Sequence, residues 1–158
     1  MNIEQIFLMQ FGLSLLAIGL LTKWYIAPPL SQKPLQLALM LLLIPHAFRH
    51  IGMSFVVPTL NHPGMPADFA TAAAYGDLLS GLLALVCLIA LNSRWSVAVP
   101  LVWIFNIVGT IDLTHALGKT EAISYMGPTW FIPTFLVPVL LITHIMIFAR
   151  LIKHARSN

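Results

Sequence analysis

Seven side chains in this sequence carry a charge, or can take one, inside otherwise apolar stretches: His46, Arg49, His50, Asp77, Asp112, His115 and His144. A guanidinium such as Arg49 offers a planar fork of donors that matches an anionic group. Asp77 and Asp112 can balance that charge or carry a proton, and His50 and His115 change charge near neutral pH. His46, Arg49, His50 and Met53 follow the i, i+3, i+4, i+7 spacing of one α-helical face. Asp112 and His115 are i, i+3 neighbours on another helix.

Several named chemistries can be tested against these residues. His46 and His50 form HxxxH, the spacing of helical zinc ligands. The position beside the first histidine is Ala47 where the zinc version carries a glutamate, and Arg49 between the two repels a cation, so no metal is assigned. A b-type haem needs two histidines from facing helices at similar depth. His46 lies near the middle of its segment and His144 about one to two turns further toward the opposite end, a mismatch that argues against haem, and the cofactor stays open. Ser54 and Ser80 lack a nucleophile elbow. A histidine beside a carboxylate, His115 with Asp112 or His50 with Asp77, could shuttle a proton on a hydrophobic substrate.

These residues must be positioned by membrane helices. Of 158 residues, 59% are hydrophobic and 8% charged, against roughly 25% charged in a soluble domain. The net charge of +3 is segregated along the chain and gives no footprint for nucleic acid. The lone Cys87 excludes a disulfide framework within the chain and a CxxC motif, and reads as a small hydrophobe. A bilayer crossing needs about 20 apolar residues, and five stretches qualify: 5–26, 35–57, 69–91, 95–117 and 129–152. The first lacks the basic flank and cleavage site of a signal peptide and reads as a retained helix. The connections are short, so the expectation is an all-α, five-helix bundle forming one transmembrane domain over 1–158.

Lys23, Lys33, Arg94, Arg150, Lys153 and Arg156 flank one side of these helices, and only Lys119 the other. The positive-inside rule then sets the N-terminus outside and the C-terminus in the cytoplasm. Trp24, Tyr25, Trp95, Tyr125 and Trp130 sit at helix ends as an interfacial belt. In that orientation Arg49, His50, Asp77, Asp112 and His115 share the outer half with Tyr75, Thr110, Thr129 and Thr134, while His144 lies toward the cytoplasm. Asp77 sits on a stripe of small residues, Ala70, Ala73, Ala74, Ser80, Gly81 and Ala84, which lets another helix approach closely. Pro45, Pro100, Pro133 and Pro138 can kink their helices and open space between them.

The segments PHAFRHIG (Pro45 to Gly52), AAYGDLLSGLLAL (Ala73 to Leu85), VWIFNIVGTIDLTHAL (Val102 to Leu117) and TWFIPTFLVPVLLITHIMIF (Thr129 to Phe148) resemble a group of small bacterial five-helix integral membrane proteins with no assigned function. The resemblance implies a bacterial inner membrane and carries over no activity. The topology alone is also similar to the sterol-isomerase and sigma-2-receptor group, whose helices enclose a lipid-sized cavity with acidic residues.

The expected site is an outward-facing polar pocket among helices 2 to 5 that binds or translocates a small or lipid-like ligand. Its residues are His46, Arg49, His50, Tyr75, Asp77, Thr110, Asp112, His115 and Thr134. Arg49 anchors an anionic group, the aspartates set the charge balance, and His50 and His115 tune it. The alternatives are a membrane-embedded, isomerase-like acid–base enzyme using His115, Asp112 or His50, an accessory subunit whose polar layer is structural, and a haem- or metal-binding protein. Expected partners are membrane lipids, the ligand, and a second copy in a homodimer.

Overall fold

The protein is described from a computed structural model covering residues 1–157. Five helices are long and apolar enough to cross a membrane, with mean hydropathies from 1.3 to 2.3. Among the described residues these spans are Ile3–Ser31, Leu35–Val56, Ala67–Asn92, Ala98–Leu117 and Pro128–Ala155, and we label their main α-helical parts α1 (Ile3–Leu21), α2 (Leu35–Ala47), α3 (Ala67–Asn92), α4 (Ala98–Leu117) and α5 (Val137–Ala155). Large apolar side chains such as Leu8, Ile111 and Ile145 stay more than half exposed. Such an exterior suits lipid and is uncommon on a soluble monomer.

Prolines shape three of these helices. Pro28 and Pro29 supply no backbone N–H, and the turn before them, Thr22–Ile26, widens to π geometry closed by Ala27 N–H on the Thr22 carbonyl. The same occurs at Ile132–Leu136, around Pro133 and before Pro138. Pro45 lies in the last turn of α2, and the chain then tightens to a 3₁₀ helix over Arg49–Val56. Pro100 kinks nothing: α4 begins at Ala98, so Pro100 falls in the first turn, where its missing donor leaves no bond unmade.

α3 is the central helix. Ala70, Ala73, Ala74, Asp77, Ser80, Gly81, Ala84 and Cys87 are all buried along one stripe. The small residues let the 3₁₀ segment, α2 and α4 pack closely on it. A Cβ on Gly81 would stand 3.2 Å from the His50 backbone nitrogen, so glycine there sets how near the 3₁₀ segment can come. α5 packs on α2, α4 and α1, and α1 lies at the periphery.

The apolar core divides into clusters with a polar layer between them. At one end Leu39, Leu43, Ala84, Leu91, Val102, Phe105 and Leu151 pack together. At the other, Phe55, Phe69, Ala73, Ala74 and Ile132 do so. That second end is laced by its loops. Asn61 Nδ2 donates to the Ser54 and Phe55 carbonyls, both at 3.0 Å, and Asn61 Oδ1 accepts from Thr129 Oγ1 at 2.6 Å. Asn61 also bridges to Met126, and His62 N–H donates to the Tyr125 carbonyl at 2.9 Å.

Candidate functional site

Arg49, Asp77 and Asp112 form one cluster from three elements. Arg49 is completely buried. Its Nε donates to Asp77 Oδ1 at 2.8 Å, its Nη2 to Asp112 Oδ2, and its Nη1 to the Gly109 carbonyl at 3.2 Å. A single guanidinium therefore joins both carboxylates. Each aspartate keeps an oxygen, Asp77 Oδ2 and Asp112 Oδ1, that meets no donor among the described residues. With both acids ionised, the cluster carries one negative charge in excess.

Glycines make this packing possible. A Cβ on Gly52 would run into the Asp77 carboxylate, and one on Gly76 into that of Asp112. A Cβ on Gly109 would stand 2.9 Å from Arg49 Nη1. Each charged group thus reaches its partner over a bare backbone, and any larger residue would push the pair apart.

The face expected of His46, Arg49, His50 and Met53 does not form. The buried residues are His46, Arg49, Gly52 and Phe55, every third one. A 3₁₀ helix has three residues per turn, so i and i+3 eclipse while i and i+4 diverge. His50 is thereby turned outward, its Nδ1 3.1 Å from the Ala47 carbonyl. HxxxH accordingly does not converge on a metal position.

The other expected residues divide. Tyr75 is 58% exposed and faces away from the cluster. Thr110 and Thr134 donate to carbonyls of their own helix turns, Asn106 and Trp130, both at 2.7 Å. His115 is exposed but lines a polar recess of about 200 Å³ together with Asp68, Asp112 and Lys119. The depth mismatch between His46 and His144 is absent: their ring centroids are 4.2 Å apart. A porphyrin held by this pair would have to fit between rings already in contact.

A narrow cavity of about 40 Å³ adjoins the cluster. Asp77 and Asp112 supply its acidic wall, and Phe55, Phe69, Leu113 and Val137 its apolar ones. Arg49 does not line it, and Lys119 does. Phe7 closes the α1 side and packs edge-on against Trp130, with centroids 5.5 Å apart. The polar recess shares Asp112 with this cavity, so a ligand passing from recess to cavity would pass that carboxylate.

Sequence reasoning missed Asn106, Thr143 and the glycines. Asn106 Oδ1 lies 2.6 Å from His144 Nδ1, and Thr143 Oγ1 lies 2.9 Å from His46 Nε2. A signal was available: Asn106, Gly109 and Leu113 follow i, i+3, i+7 on one face of α4 and are all buried. Residues 6–152 match the family described as a domain of unknown function, DUF8737, and the chain belongs to that family. No curated protein and no solved structure matches it.

Proposed function

We propose that this family member binds, and on release translocates, a small amphipathic molecule in the cavity beside Asp77 and Asp112. The observation that carries the reading is the lining. Two carboxylates, each with a free oxygen, meet an apolar slot, while Arg49 is sealed behind them and Lys119 is the one cation on the lining among the described residues. A desolvated carboxylate draws a cation or a strong hydrogen-bond donor, and the apolar walls take a hydrocarbon body. The preferred ligand is therefore a lipophilic amine or a polar lipid-like donor. The anionic group assigned to Arg49 from sequence alone would meet the carboxylates first. Arg49 instead holds the two acids close together and offsets part of their charge.

The setting we propose is a bacterial inner membrane, with the N-terminus outside and the C-terminus in the cytoplasm. The basic residues support it. Arg150 donates to the carbonyls of Leu30 and Lys33, and Gln36 to that of Leu91, so Lys33, Arg94 and the basic C-terminal residues gather at one end of the bundle. The carboxylate cavity then opens on the opposite, outer half.

Asp112→Asn tests the reading. It removes the excess charge while keeping the size of the side chain, and Asp112 is the less buried of the two acids. Affinity for a medium-chain alkylammonium should fall about tenfold or more, the equivalent of one charge-assisted hydrogen bond. Unchanged affinity in a folded variant would refute the assignment.

A further inference from the structure

His46 and His144 stand apart from the carboxylate cavity, and their hydrogen bonds define where their protons are. Asn106 Nδ2 donates to the His144 carbonyl at 3.2 Å, which turns Asn106 Oδ1 toward His144 Nδ1 at 2.6 Å. Nδ1 must carry the hydrogen, and Nε2 the lone pair. Thr143 donates its hydroxyl to the Val139 carbonyl at 2.9 Å, so its oxygen accepts from His46 Nε2 at 2.9 Å. His46 Nδ1 then holds the lone pair. Both side chains are at least 99% buried, and both lone-pair nitrogens, His46 Nδ1 and His144 Nε2, meet no protein donor. Each such nitrogen costs about 1–3 kcal/mol against a satisfied one, and apolar side chains at both positions would avoid that cost.

The two rings bridge the gap between two cavities. Arg49 Nη1 and His144 Nε2 both lie 2.9 Å from the point where a Gly109 Cβ would stand, so the bare backbone of Gly109 lets the guanidinium of the carboxylate cluster come up beside His144. The His144 ring lies against that of His46, and His46 bonds Thr143. Thr143 lines a second cleft, of about 400 Å³, together with Thr22, Tyr25 and Lys33. Asp112, Arg49, His144, His46 and Thr143 thus run in file from one cavity to the other, near the middle of the helical spans.

We propose that His144 and His46 form a proton relay between the carboxylate cavity and the second cleft. His144 Nε2 takes a proton from a hydronium on the carboxylate side of Gly109, which leaves as water, and becomes an imidazolium. It passes that proton to His46 Nδ1. His46 then releases its Nε2 hydrogen to Thr143 Oγ1, which gives up its own hydroxyl hydrogen to solvent in the cleft. His144 is left in its starting tautomer, and only His46 must shift its hydrogen from Nδ1 back to Nε2 before the next transfer, so one proton enters and one leaves. The charged group nearest the pair is Arg49 from the 3₁₀ segment, whose guanidinium is itself held by Asp77 from α3 and Asp112 from α4, while α5 contributes only His144 itself.

The relay needs no organic ligand, and its test uses none. The full chain is reconstituted into phospholipid vesicles holding a pH-sensitive dye, and a potassium diffusion potential drives protons inward. Acidification should exceed that of protein-free vesicles, and His46→Gln and His144→Gln should each return it to the protein-free rate. Thr143→Val, at the cleft wall, should lower it as well, and it serves the test even where a histidine variant fails to fold. Wild-type flux equal to that of empty vesicles, or folded variants that conduct as well as wild type, would overturn the relay and leave the ligand reading untouched.

Discussion

Arg49 engages all three of its nitrogens, and each acceptor depends on the others. Replacing it with alanine leaves two carboxylates buried against each other with no cation, an arrangement that costs about 3–5 kcal/mol. Thermal unfolding in detergent should therefore show a large loss for Arg49→Ala. Arg49→Lys should recover only part of it, because an ammonium cannot span both acids with the geometry of a fork. A melting temperature for Arg49→Ala equal to that of wild type would contradict the triad. Gly109 makes a second case: a Cβ there meets His144 Cε1 at 2.8 Å and Arg49 Nη1 at 2.9 Å. Gly109→Ala should cost about 1–3 kcal/mol by overpacking, measured in the same way. At this scale the charges were legible in the sequence, since ionisable residues in apolar helices face the interior and seek partners. The glycines were not, because nothing in a glycine's own identity says which side chain will lie against it.

The helices carry the next lesson. The apolar length of each span was visible in the sequence, and the five helices follow it. What could not be read was the change of pitch after Pro45. An α-helical period gives His46 and His50 a common face, and a 3₁₀ period separates them. The proline was visible, but whether a chain kinks, tightens or simply starts a helix there depends on packing, as Pro45 and Pro100 illustrate from opposite sides. The π turn at Ile132–Leu136 leads directly into α5, and His144 lies beside His46 where an unbroken helix was counted to a different depth. The α3–α4 turn gives a prediction at this scale. Arg94 has a φ of 55°, the left-handed region, where a non-glycine residue costs roughly 1–2 kcal/mol. Arg94→Gly should raise stability by up to about 1 kcal/mol, and a lower melting temperature would show that the arginine side chain contributes more than its backbone strain removes.

Across the whole molecule the two ends differ in kind. One gathers the basic residues and ties α5 to the turn after α1 through Arg150. The other carries the laced loops, where Asn61 joins the 3₁₀ segment to Thr129. Asn61→Ala should loosen that end, at a cost of about 1–3 kcal/mol for the carbonyls left bare, and should speed backbone hydrogen exchange at residues 54–65 before it affects α3. Orientation is equally accessible: a cysteine introduced at Ser157, with the buried Cys87 replaced by alanine, should react with an impermeant maleimide only after the membrane is opened. The most direct test of the central claim, that the cavity presents carboxylates to its ligand, is charge selectivity. Binding of n-octylammonium, n-octanol and n-octanoate to the wild-type protein in nanodiscs, corrected against empty nanodiscs, should rank the cation first and the anion last. Octanoate binding as tightly as octylammonium would mean that a cation, Arg49 or Lys119, and not the aspartates, meets the ligand, and the account of the site would fail.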